Sequence, residues 1–160
     1  EGKTAPEVID SLASDNPTMG WRQLAVIDQS GNSAFYHGDR IASTHAAAQG
    51  ASSCAIGNII RTEAVPQAMI DAFEEVSSLH LAERLVRGLE AGLDAGGELK
   101  QIKSAALLVV HEHEFPLVDL RVEFDRAPLM ELRFLWEAYM PQMEKFVTQV
   151  IDPDSLPYPG

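Results

Sequence analysis

The chain has 160 residues, 46% of them hydrophobic, with 24 acidic and 12 basic side chains, a net charge of −12, and one cysteine. That is enough apolar surface to offset the entropy of ordering one globular domain, which excludes a disordered chain. A lone Cys54 excludes a disulfide framework or cysteine-rich zinc site and points to a reducing, cytoplasmic setting, and the negative charge argues against nucleic acid or an anionic membrane as partner.

Thr4-Ala5-Pro6-Glu7 reads as a helix start, with Pro6 in the first turn and Glu7 completing a capping box. Two β-type runs follow, Leu24–Asp28 and Ser33–His37, and the intervening Gln29-Ser30-Gly31-Asn32 suits a hairpin turn. Residues Ile41 to Gln49 are small and polar and are expected to form a loop, and 54–60 reads as a further strand. Val65, Met69, Ile70, Phe73 and Val76 recur at helical spacing. So do Leu81, Leu85, Val86, Leu89 and Leu93, with a break at Ser77-Ser78 and a stop at Gly96-Gly97.

Residues 105–110 are apolar throughout, as in a central strand covered on two sides. Residues 118–125 alternate, so one face is buried. A final helix begins near Pro128 and is expected to kink after Met140, because Pro141 removes a backbone donor. The order α-β-β-β-α-α-β-β-α predicts a layered α+β fold, with one domain over 1–150 and an extended proline-rich tail over 151–160. No apolar run approaches the length of a bilayer span, and no signal-peptide core is present.

Phosphate-binding glycine loops, a His-Glu-x-x-His pair and a Gly-x-Ser-x-Gly elbow are all absent from the sequence. Strand alternation would put His111 and His113 on one side, where two neutral imidazoles and a third ligand can bind a transition metal; the alternative is a solvated strand end. Asp119, Arg121 and Glu123 share a polar strand face, which suits an anionic or amide ligand or simply a hydrated surface. The apolar flanks of Cys54 suggest a small buried side chain, not a nucleophile. His45 has the right titration range for an acid or base, against the plainer reading of a surface histidine.

Four segments carry a resemblance when taken together: Arg22-Gln23-Leu24-Ala25-Val26-Ile27-Asp28, Ala55-Ile56-Gly57-Asn58-Ile59-Ile60, residues 104–110, and residues 115–122. With Met130-Glu131-Leu132-Arg133 and the run from Tyr139 to Met143, they resemble a mainly bacterial family, the domain of unknown function numbered ten twenty-eight, across nearly the whole chain. That family is grouped by fold with the N-terminal-nucleophile (Ntn) hydrolases. The resemblance implies a four-layer α-β-β-α sandwich. It further implies a Thr, Ser or Cys freed at a chain terminus, whose hydroxyl or thiol attacks an amide and whose own α-amine takes the proton.

Family members begin with further strands and a hydroxyl residue upstream of the first helix seen here. The resemblance therefore implies that the N-terminal strands and the nucleophile belong to a segment preceding Glu1. Within this chain it leaves supporting roles: Gly57 and Asn58 as oxyanion or substrate donors, and Ser104, Asp119 and Arg121 as pocket residues. No cofactor is implied. The reading is a hydrolase of an amide or related bond in a small molecule or short peptide, with a non-catalytic binding or assembly module as the alternative. The helix carrying Trp136 and Tyr139, with the proline-rich tail, suggests a homodimer or higher homo-oligomer.

Overall fold

A computed structural model describes residues 2–156 of the chain. It is a mixed α+β structure in which three antiparallel two-stranded sheets are interspersed with helices. The chain divides into two units, Glu1–Leu79 with Arg87–Gln101, and His80–Val86 with Ile102–Gly160.

The first unit opens with helix α1 (Ala5–Asp15). Glu7 Oε2 accepts the Thr4 N–H at 2.8 Å and the Thr4 hydroxyl at 2.9 Å, as the capping pattern predicts, and these bonds, the backbone one first, hold the Glu7 carboxyl below its ordinary value. Strands β1 (Gln23–Ile27) and β2 (Ser33–His37) form the expected hairpin. Its turn is built on Asp28, whose Oδ1 accepts the N–H groups of Ser30 and Asn32 while Gly31 takes a φ of 83°. Asp28 Oδ2 also accepts the Ala5 N–H at 3.2 Å, fastening the hairpin to the start of α1. Burial alone would raise the Asp28 carboxyl, but the donated N–H groups of Ala5, Asn32 and Ser30 outweigh it and hold the group low.

The second hairpin corrects the sequence reading. Residues 45–49, expected within a loop, form strand β3 (His45–Gln49) against β4 (Cys54–Asn58). His-Ala-Ala-Ala-Gln has little intrinsic β preference, and the alanines suit a different need. Ala48 and Ala55 are buried with Ile70 of α2 (Val65–Glu75), with Met69 packed beside them. Methyl-sized side chains on the sheet face let the helix lie close. Helix α3 (Leu81–Asp94) ends as predicted, with Gly97 N–H bonded to Gly92 O and Gly96 N–H to Leu93 O. Both glycines have positive φ, the backbone signature of a Schellman stop.

In the second unit, β5 (Ala105–Val109) pairs with β6 (Val118–Val122), and both pack on α4 (Pro128–Tyr139). Leu107, Val109, Val118 and Val122 are buried, as are Leu132 and Trp136 on α4. The expectation that β5 is covered on both faces does not hold: Leu108 and Val110 are more than half exposed. The alternation of 118–125 also stops early, because Phe124 has a φ of 52° and is 88% exposed. Pro141 interrupts the last helix where predicted, giving a 3-10 turn at Met140–Gln142 and then α5 (Met143–Ile151). Of the tail, Pro153–Ser155 form a 3-10 turn, whereas Pro157, Tyr158 and Pro159 lie outside the described residues.

A polar network stiffens this second core. Glu83 Oε2 accepts Arg133 Nη1–H at 2.6 Å and the Trp136 indole N–H at 2.9 Å, and the Tyr139 hydroxyl donates to Leu117 O at 2.8 Å. Leu132 has no exposed surface, so Leu132→Ala should cost about 2–5 kcal/mol of stability. Urea unfolding followed by circular dichroism measures this directly, and a loss below about 1 kcal/mol would contradict the packing described.

Candidate functional site

Polar side chains gather where the two hairpins of the first unit meet. Gln23 and His37 are register partners at one end of the β1–β2 ladder, and His45 and Asn58 are partners at one end of β3–β4. The Gln23 carboxamide joins them. Its Nε2 donates to Gly57 O at 3.0 Å and to Ala46 O at 3.2 Å, and lies 3.3 Å from His37 Nε2. Its Oε1 accepts Asn58 Nδ2–H at 3.1 Å. Two carbonyl acceptors on one side and an amide donor on the other fix which way the Gln23 amide faces.

Asn58 is consequently an exposed side chain with a determined orientation. One of its amide hydrogens is held by Gln23, and the second has no acceptor among the described residues and remains a donor at the strand end. The next residue is strained. Ile59, β-branched and 44% exposed, has a φ of 58°, where such a side chain costs of order 1–3 kcal/mol. Neighbouring bonds hold it there: Ile59 N–H donates to Ser43 Oγ at 3.2 Å, Ile59 O accepts Leu99 N–H at 2.8 Å, and Ile60 N–H donates to Thr44 O. Strain kept in place by its surroundings, next to an oriented donor, makes this turn the candidate site.

The two imidazoles complete the cluster. The rings of His37 and His45 meet edge to face with centroids 4.8 Å apart. His45 Nδ1 lies 2.8 Å from Ser43 O, so the ring hydrogen of neutral His45 belongs on Nδ1 and the lone pair on Nε2. His37 Nε2 lies 3.3 Å from Gln23 Nε2. Burial, first, and then the neighbouring His45 hold His37 below its ordinary pKa.

Of the residues singled out in the sequence, the structure thus brings together Gly57, Asn58 and His45, and His45 is partly buried and engaged. Sequence reasoning missed Gln23 and His37; the available signal was a polar residue at the end of each apolar run, in cross-strand register. Ser104, Asp119 and Arg121 belong to the second unit. Ser104 is exposed just ahead of β5, and Arg121 makes a two-pronged ion pair with Asp119, Nε to Oδ1 at 2.7 Å and Nη2 to Oδ2 at 3.3 Å. That bonding, then the Asp119 charge, raises the guanidinium further above its ordinary value. Both partners are well exposed, so the pair adds little stability. Cys54 is half-buried at the start of β4, and burial pushes its thiol up, away from a reactive thiolate.

His111 and His113 lie in an irregular bend rather than on a strand, with His113 stacked on Phe115 and its Nε2 3.6 Å from Glu112 Oε1. Among the described residues no three His, Cys, Asp or Glu side chains are placed to hold a metal ion. Among them, too, no helix is long and apolar enough to cross a membrane.

The model of a family of unknown function, DUF1028, matches residues 1–132. The chain belongs to DUF1028. A crystal structure of another protein of that family, SPO2555 from Silicibacter pomeroyi, is similar, with 30% identity and a TM-score of 0.76 over 87% of this chain. The match covers 61% of the Silicibacter protein, so this chain spans less than two thirds of its relative's length. No curated protein matches the chain.

The depressed pKa of half-buried His37 makes the stability of this DUF1028 chain depend on pH. A histidine with a folded pKa below its unfolded value of about 6.5 favours the folded state fully above pH 6.5 and less as pH falls through the interval beneath it. Urea unfolding should therefore show stability falling from pH 7.5 to pH 5.5, with a shallower fall in His37→Gln. An NMR titration of the His37 ring placing its midpoint at or above 6.5 would overturn the assignment.

Proposed function

We propose that this DUF1028 chain carries the substrate-holding part of an N-terminal-nucleophile hydrolase, with Asn58 as the oxyanion donor. The observation that carries the reading is Asn58 itself: an exposed amide oriented by Gln23 and followed directly by the left-handed Ile59. A donor fixed before substrate arrives needs no reorganisation when negative charge develops on an acyl oxygen, and that is the main requirement of amide hydrolysis. His45, with Nε2 as its lone-pair nitrogen, is suited to steer a substrate N–H or a water, and Gly57 keeps the strand end slim beside it.

In this proposal the attacking Thr, Ser or Cys lies on a segment preceding Glu1, and the solved relative is longer than the part of it that this chain matches. The nucleophile adds to the carbonyl carbon and its proton passes to its own α-amine. Collapse of the tetrahedral adduct expels the amine with that proton, and water releases the acyl group. The four-layer sandwich, with residues 1–150 as one Ntn-like domain, belongs to the same proposal. Intact-mass measurement on the full-length gene product with a β-lactone probe tests it. A single acyl adduct is expected, and Asn58→Ala should slow its formation about 10²–10³-fold. An unmodified full-length protein, or equal rates in wild type and N58A, would sink the reading.

A binding or assembly module on the same fold is favoured by a separate observation. Met130 and Phe134, one turn apart on α4, are 73% and 63% exposed. On the same helix, Trp136 and Tyr139 are engaged inside the second unit, which leaves Met130 and Phe134 as its open large apolar side chains. In this reading Met130 and Phe134 meet a second copy, and Phe134→Glu should shift sedimentation from dimer to monomer. A wild-type protein that sediments as a monomer at all concentrations rules the dimer out.

A further inference from the structure

The second unit contains a cavity of about 390 Å³ that the hydrolase reading does not use. Its size falls within the range of roughly 300–1,000 Å³ typical of small-molecule sites. Three of the chain's five histidines, His80, His111 and His113, line it together with Glu112 and Glu144, and because His80, His111 and both glutamates are exposed it opens to solvent as a cleft. The apolar side of the cavity is made by Leu117, and by Met143 and Val147 on one face of α5. Neither lysine nor arginine lines it.

This lining selects by charge. With neutral imidazoles the cavity holds two negative groups and no positive one, inside a chain of net charge −12, so an anionic ligand is disfavoured. Glu144 makes no ion pair or side-chain hydrogen bond through its carboxylate among the described residues; Thr148 Oγ1, one turn on, donates to its backbone oxygen at 2.9 Å instead. A bare metal ion does not suit the site either. It needs several lone pairs converging at about 2 Å, whereas no three such groups are so placed here and His80 Nδ1 already accepts the Ala82 N–H at 3.1 Å. Separated acceptors around an apolar wall fit a larger cation, one with several N–H donors and a short hydrocarbon body.

We infer that this cavity binds a small organic cation, a primary amine or guanidine on a short aliphatic chain, through Glu112 and Glu144. The ammonium or guanidinium donates to the carboxylates and to the imidazole lone pairs of His111 and His113, and the methylene body covers Leu117, Met143 and Val147.

The test is a ¹H–¹³C NMR titration of the full chain with agmatine at pH 7.5. His37 and His45, in the first unit, serve as internal references. Saturable shifts of the His80, His111 and His113 rings with 1:1 stoichiometry are expected, and butyrate should produce none. Glu144→Gln should raise the agmatine Kd about tenfold or more, with unchanged Leu132 methyl and Trp136 ring resonances showing that the second unit of the variant is folded. Three results would overturn the inference: no shift at millimolar agmatine, equal binding by E144Q, or stoichiometric Zn²⁺ binding that agmatine does not displace. Equal shifts at all five histidines would also reject it, as unspecific ionic binding.

Discussion

The carboxamide of Gln23 ties two hairpins that otherwise have separate hydrogen-bond ladders. It bonds one strand's end to the backbone oxygens of Ala46 and Gly57 and to the Asn58 side chain. A two-stranded hairpin is marginal in water by itself, so the first unit depends on what crosses between its hairpins. The amide is partly buried, and its hydrogen bonds each contribute about 0.5–1.5 kcal/mol net. Its larger effect is geometric. Gln49 Nε2 also crosses between the hairpins, to Ser33 O at 2.7 Å, but Gln23 both docks the ladders and determines the direction of Asn58, so packing and chemistry share one side chain. Asp28 does comparable work at the other end of β1, where one carboxylate closes the turn and fastens α1.

The strained turn after β4 follows from the same arrangement. Asn58 must end the strand with its side chain on Gln23, and the chain then leaves immediately to form the bridge between Ile60 and Glu98. Ile59 absorbs the change of direction. A glycine would do so at no steric cost, but it would also let the turn relax and Asn58 swing. An isoleucine gripped by Ser43 and Leu99 keeps the backbone in one state.

Local chemistry was legible in the sequence wherever a residue acts on its near neighbours. The Thr4–Glu7 cap, the Gly31 turn, the Gly96-Gly97 stop and the Pro141 interruption all depend on contacts within a few residues, and each is found. Strand β3 was not legible, because its reasons lie elsewhere: its alanines are chosen by Ile70 and its pairing by β4. The open face of β5 was misread because an apolar run says nothing of whether a neighbour covers it. For the site, Gly57, Asn58 and His45 stood out by type. Gln23 and His37 did not, since cross-strand register places them there and residue type alone carries no trace of it.

The two tryptophans of the chain fall one to each unit, in opposite surroundings. Trp21 is 60% exposed beside the Arg40 guanidinium, whereas Trp136 is 2% exposed, bonded to Glu83 and stacked with the His80 ring. The protein therefore carries its own optical labels. Emission from Trp21 is already that of a solvated indole, so any blue component of the native spectrum belongs to Trp136. Loss of that component reports the melting of the second unit's core, without dyes or added probes.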